Sequence, residues 1–101
     1  MKERFLLRRV LDPTKVTEYV KWHKNVPEGL MDIYRKVGVT DLSCFLCEND
    51  LVVFMEVDRE IYQQHRHELA SDPIDTQWQS LMATLNEPNY NPLEYNEVFR
   101  M

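Results

Sequence analysis

Glycine is scarce in this chain of 101 residues: only Gly29 and Gly38 occur. Two isolated glycines cannot build G-x-G-x-x-G or a Walker-type phosphate loop, so the common nucleotide cradles are excluded. The G-x-S-x-G of a nucleophile elbow is absent as well. Cysteine is equally sparse. Cys44 and Cys47 form one C-x-x-C, with no second Cys or Cys-His pair to complete a zinc site. They fall in a strand-like run, where an odd spacing sends two side chains to opposite faces. Both are therefore expected to be buried, reduced thiols, as in a reducing compartment.

An excess of basic residues is also missing. Twelve Lys and Arg stand against 17 Asp and Glu, a net charge of -5, which argues against a nucleic-acid partner. The one basic cluster, Lys2-Glu3-Arg4 with Arg8-Arg9, alternates with apolar residues like the solvated side of a strand. No window approaches the ~20 apolar residues of a membrane span. Met1-Lys2-Glu3-Arg4 runs straight into strand-like sequence, without the apolar region of a secretory signal. The expectation is one cytoplasmic domain over residues 1–101, with no membrane and no nucleic acid as partner.

What is present reads as alternating strands and helices. Residues 4–10 (RFLLRRV) predict a strand, closed by Leu11-Asp12-Pro13. Asp12 is a good N-cap and Pro13 suits a first helical turn. Val16, Tyr19, Val20 and His23 then follow helical spacing over 14–24. Asn25-Val26-Pro27 interrupts this helix. A second helix is expected over 27–36, capped by Gly38. Residues 39–47 and 51–57 predict a hairpin turning at Glu48-Asn49-Asp50. Phe45 and Cys47 share one face of its first strand, and Leu42, Cys44 and Leu46 the other. Both faces of the hairpin are apolar, so both need cover, and the chain has residues for only one helical layer. A second copy is the economical cover for the other face. Asp58 precedes a third helix to about Ala70, Asp72-Pro73 starts a fourth to about Leu85, and residues 95–101 predict a closing strand. The order is the α+β, ferredoxin-like split β-α-β arrangement with an antiparallel sheet.

The candidate reactive residues are the histidines. Tyr19 and His23, four apart, share a helix face, and His23 stands where the helix breaks and a pocket can open. A histidine's ordinary pKa near 6.5 lets it give and take protons around neutrality. By spacing alone, Tyr and His on the inner face of an amphipathic helix read first as packing residues. His65 lies on the apolar side of its helix and reads as a buried partner, whereas His67 reads as solvated surface. Trp78 is most simply core; its other reading is a platform for the C–H face of a sugar, with its N–H as donor. No spacing suits a metal.

The chain resembles the L-rhamnose mutarotase family along nearly its whole length. The resemblance rests on RFLLRRVLDPTKVTEYVKWH, on Pro27-Glu28, on VGVTDLSCFLCENDLVVFMEVD, on DPIDTQWQSLM and on NEVFRM, in that order and spacing. It implies a homodimeric α/β-barrel of ferredoxin-like subunits, acting on a monosaccharide without cofactor or metal. It further implies His23 as general acid, Tyr19 as a sugar-binding hydroxyl and Trp78 as a stacking ring. Two pocket positions depart from the family pattern: Leu42 where a tyrosine is typical and Gln79 where a second tryptophan is typical. These departures bear on the sugar more than on the reaction. Two alternatives stay open: a cofactor-free monooxygenase on the same barrel, and a non-catalytic sugar-binding dimer.

Overall fold

The computed structural model describes residues 1–101. Strand β1 (Lys2–Val10) leads through a 3-10 turn (Pro13–Lys15) into α1 (Val16–His23) and α2 (Leu30–Lys36). The hairpin β2 (Val39–Cys47) and β3 (Asp50–Asp58) follows. Three helices, α3 (Arg59–His65), α4 (His67–Ser71) and α5 (Pro73–Ala83), precede β4 (Leu93–Asn96). The sheet runs β2-β3-β1-β4 with every neighbour antiparallel, which is the ferredoxin-like α+β arrangement.

One device starts three of the helical segments. Asp12 Oδ1 accepts from the Thr14 amide at 2.9 Å and its hydroxyl at 2.7 Å. Asp58 Oδ1 accepts from the Ile61 amide at 3.3 Å. Asp72 Oδ1 accepts from the amides of Ile74 and Asp75 at 2.9 and 3.1 Å. Each carboxylate satisfies amides that the helix itself leaves without partners.

Pairing across the sheet decides which side chains face the helices. Phe5, Leu7 and Arg9 share a face with Leu51, Val53 and Met55 through the register Phe5↔Met55, Leu7↔Val53 and Arg9↔Leu51. On β2, Val39 pairs with Val57 and Leu42 with Met55, so both face the helices although they are three residues apart. A register shift between Val39 and Asp41 makes this possible by taking Thr40 out of the alternation. The helix-side core forms two clusters. Leu11, Tyr19, Leu51 and Leu85 make one; Val37, Val39, Met55 and Val57 make the other.

The opposite sheet face has no layer over it. Leu6 pairs with Phe54 and with Tyr95, and Val52 with Phe45, on that side. Phe45 is 59 % exposed there.

Five expectations need correction. Helix α2 begins at Leu30 rather than Pro27, because Gly29 takes a left-handed φ of 88° and the chain turns before the helix starts. The third helix is two: the Leu69 amide reaches back three residues to the Arg66 carbonyl, and this tight turn interrupts it. The closing strand is Leu93–Asn96, not 95–101. Val98 and Phe99 read as strand residues because they are apolar, yet they find nothing in this chain to pack against and stay exposed. Cys44 and Cys47 are exposed rather than buried, because β2 is an edge strand: Cys47 lies on its open outer face, and Cys44, on the helix side, lines a cavity at the edge of the sheet. His65 is not a buried partner: its side chain is 45 % exposed and its Nδ1 lies 2.6 Å from Glu68 Oε2.

Gly38 joins α2 to β2 with φ 101°, and a Cβ there would sit 2.9 Å from the Tyr62 backbone nitrogen. Gly38→Ala is therefore expected to destabilise the fold by about 1–3 kcal/mol. Chemical denaturation reads this directly, and an unchanged unfolding midpoint would contradict the assignment.

Candidate functional site

A cavity of about 240 Å³ lies between the sheet and the helices, lined mostly by hydrophobic residues and touching members of both core clusters. It falls below the ~300–1,000 Å³ of drug-sized sites, so it has room for a small ligand only. Its polar groups come from most of the surrounding elements: Arg9 from β1, Tyr19 and His23 from α1, Tyr34 from α2, and Asp75, Trp78 and Gln79 from α5, joined by Cys44 of β2, Tyr62 of α3 and Asn86.

Tyr19 and His23 lie one helical turn apart on α1, and their rings stack at 4.1 Å between centroids, 28° apart. His23 Nδ1 lies 2.9 Å from the Tyr19 carbonyl oxygen. A carbonyl only accepts, so Nδ1 carries the hydrogen and Nε2 is the nitrogen left for chemistry. Trp78 meets the imidazole edge-on at 5.1 Å and 67°, and is itself buried. Helix α1 ends at His23 and the chain turns towards Pro27, so the ring stands at the last turn of its element.

The Tyr19 hydroxyl is pushed well above its ordinary pKa, first by burial and then by the neighbouring Cys44 thiol. It remains a neutral donor at physiological pH. Tyr34 is pushed up in the same way, by burial first and then by its bond to the Asp75 carboxylate. Its hydroxyl donates to Asp75 Oδ1 at 2.7 Å. Gln79 Nε2 donates to the same oxygen at 3.3 Å and to the Tyr34 hydroxyl at 3.2 Å.

Five residues singled out in the sequence, Tyr19, His23, Leu42, Trp78 and Gln79, all line this one cavity. His65 and His67 do not line it. Three further lining residues, Arg9, Tyr34 and Asp75, escaped the sequence reading. The sequence reads Arg9 as a solvated strand residue, and Tyr34 carries no local signal that sets it apart from the rest of its helix. Asp75 carried a signal that went unused: it lies three and four residues before Trp78 and Gln79, hence on their side of the helix. No three His, Cys, Asp or Glu side chains converge as a metal site, and no helix is long and apolar enough to cross a membrane.

Comparison with known proteins brings in a family. The family model for L-rhamnose mutarotase matches residues 4–101. An L-rhamnose mutarotase of Mesorhizobium japonicum is 28% identical over 103 residues, covering 93% of this chain and 94% of that protein. The crystal structure of an L-rhamnose mutarotase from Formosa agariphila superposes with a TM-score of 0.71 at 25% identity, covering 98% of each chain. A NIPSNAP-family protein of unknown function from Agrobacterium tumefaciens also reaches 0.71, at 16% identity over 95% of this chain and 86% of its own. At that identity it shares the fold alone.

The bond between His23 and the Tyr19 carbonyl fixes a tautomer. Long-range proton–nitrogen NMR of the protein at a pH where His23 is neutral is expected to show the Nδ1–H form. The Nε2–H pattern would contradict the geometry and leave no free lone pair at the cavity side of the ring.

Proposed function

The chain belongs to the L-rhamnose mutarotase family, and from that membership we propose that its cavity interconverts the α and β anomers of L-rhamnose or a closely related pyranose, with His23 as the general acid. The enzyme is accordingly a mutarotase, an isomerase, and its substrate class is a monosaccharide. The observation that carries the assignment of His23 is its fixed ring: Nδ1 is held by the Tyr19 carbonyl, and Nε2 is left free beside a buried tryptophan.

Anomer exchange needs little machinery. A proton is delivered to the ring oxygen while the C1 hydroxyl gives its own to a water molecule. The bond between C1 and the ring oxygen breaks, giving the open-chain aldehyde. C1 rotates, and the ring oxygen attacks its other face, returning both protons. In this reading the protonated Nε2 of His23 gives the proton to the ring oxygen and recovers it at closure. The neutral Tyr19 hydroxyl donates a hydrogen bond to the sugar. Trp78 offers an apolar wall to the C–H face of the ring. Leu42 and Gln79 shape the remainder of the pocket. One or two positioned acid–base groups contribute about 100- to 10,000-fold, which is sufficient because the reaction already proceeds in water.

The family membership favours this reaction over the oxygenase alternative, and exchange kinetics separate it from a purely sugar-binding dimer. In saturation-transfer NMR between anomers, His23→Ala is expected to slow exchange by about 100-fold or more in a folded protein. Tyr19→Phe is expected to weaken binding more than turnover. His65→Ala serves as control, since His65 pairs with Glu68 away from the cavity. Equal losses for His65→Ala and His23→Ala would mean that packing had been mistaken for catalysis.

We further propose a cytoplasmic homodimer built through the open sheet face. What supports this is an apolar surface of Leu6, Val52, Phe54, Phe45 and Tyr95 with no layer of this chain over it. Light scattering at micromolar concentration is expected to give twice the chain mass, and Phe45→Asp to shift the protein towards monomer. A wild-type monomer would contradict the dimer.

A further inference from the structure

Asp75 is the only acidic side chain lining the cavity, and it is 6 % exposed. Removing a carboxylate from water is costly unless its oxygens are satisfied. Oδ1 is satisfied twice, by Tyr34 at 2.7 Å and by Gln79 at 3.3 Å. The first turn of α5, where Asp75 sits, adds a favourable dipole. Oδ2 receives no donor from the protein. It is not sealed off either, because every fully enclosed side-chain oxygen or nitrogen in the chain has a partner. Oδ2 therefore keeps some accessible surface, and its residue lines the cavity.

The arrangement has the form of a fixed acceptor awaiting a donor. Tyr34 and Gln79 occupy one oxygen, bond to each other at 3.2 Å, and so hold the carboxylate in place. Trp78 lies one turn further along α5, and His23 meets its edge. A pyranose laid against Trp78 with its ring oxygen at His23 offers the hydroxyls on C2, C3 and C4 to the rest of the cavity.

We propose that Asp75, clamped by Tyr34 and Gln79, accepts a hydrogen bond from one of these remote hydroxyls and so determines which pyranoses the enzyme takes. This rests on the reading of the cavity as a sugar site. It assigns Asp75 to recognition rather than to proton transfer, and the class of ligand is a neutral pyranose with a free hydroxyl at one particular ring carbon. A deoxy sugar lacking that hydroxyl leaves Oδ2 without a partner.

The test compares wild type, Asp75→Asn and Tyr34→Phe on L-rhamnose, L-fucose and D-glucose, and then on the 2-, 3- and 4-deoxy analogues of the best sugar. Anomer-exchange NMR supplies kcat and KM, and circular dichroism follows folding. Asp75→Asn is expected to raise KM about tenfold or more with kcat nearly unchanged. That penalty is expected to vanish for one deoxy analogue, the one missing the recognised hydroxyl. Tyr34→Phe, which loosens the clamp and leaves the carboxylate, is expected to raise KM a few-fold. An unchanged KM in folded Asp75→Asn overturns the proposal, as does a loss confined to kcat. If Asp75→Asn does not fold, wild-type KM values equal across the deoxy series overturn it. If the wild type binds these sugars without accelerating exchange, the mutarotase reading falls, and dissociation constants decide the role of Asp75 in place of KM. A protein that binds none of them overturns both.

Discussion

Four antiparallel strands carry apolar side chains on both faces, and the chain supplies helices for one face only. Most of the molecule follows from that constraint. The helix-facing side chains Leu51, Val53, Met55 and Val57 take their cover from α1 to α5. The cover does not close completely: the core forms two clusters, and the cavity reaches members of both. The other face, with Phe45 and Tyr95 exposed, leaves its hydrophobic surface uncovered by this chain. The cavity and the proposed association surface are thus two sides of one sheet.

The cavity combines apolar walls with a few oriented polar groups, the usual composition of a small-ligand site. Its polar groups divide by task. On α1, a backbone carbonyl fixes the His23 ring and frees one nitrogen, while burial raises the Tyr19 hydroxyl's pKa further above its ordinary value. On α5, Asp72 caps the helix, and the turns that follow present Asp75, Trp78 and Gln79 to the same space. The proposed acid–base group and the proposed recognition groups therefore come from two helices that meet where His23 touches Trp78. Each helix is started or ended by a local signal, so neither half of the site depends on a long loop for its position.

Much of this was legible because its causes are local. The aspartate–proline pairs at Asp12 and Asp72 mark helical starts through bonds spanning two or three residues. The polar turn between two apolar runs marks the hairpin. Tyr19 and His23 are joined by helical spacing, and the quoted motifs carry the family resemblance. What stayed hidden depends on contacts far apart in sequence. Tyr34 and Asp75 are separated by 41 positions, so nothing local shows that this tyrosine holds a carboxylate. The bulge at Thr40 shows itself only through register with β3. The break at Arg66 has no proline or glycine to announce it. Cys44 and Cys47 were misread because burial statistics ignore which strand lies at the edge. Val98 and Phe99 have the composition of a strand, but composition cannot say whether a partner surface exists within the chain.

The central claim is that this protein accelerates the exchange of pyranose anomers. Two-dimensional exchange NMR on L-rhamnose, with wild-type protein at far below sugar concentration, tests it most directly. The account predicts a rate of α–β interconversion above that of buffer, rising in proportion to added protein. A rate indistinguishable from buffer for L-rhamnose and for every related pyranose, with folded protein present, would contradict it.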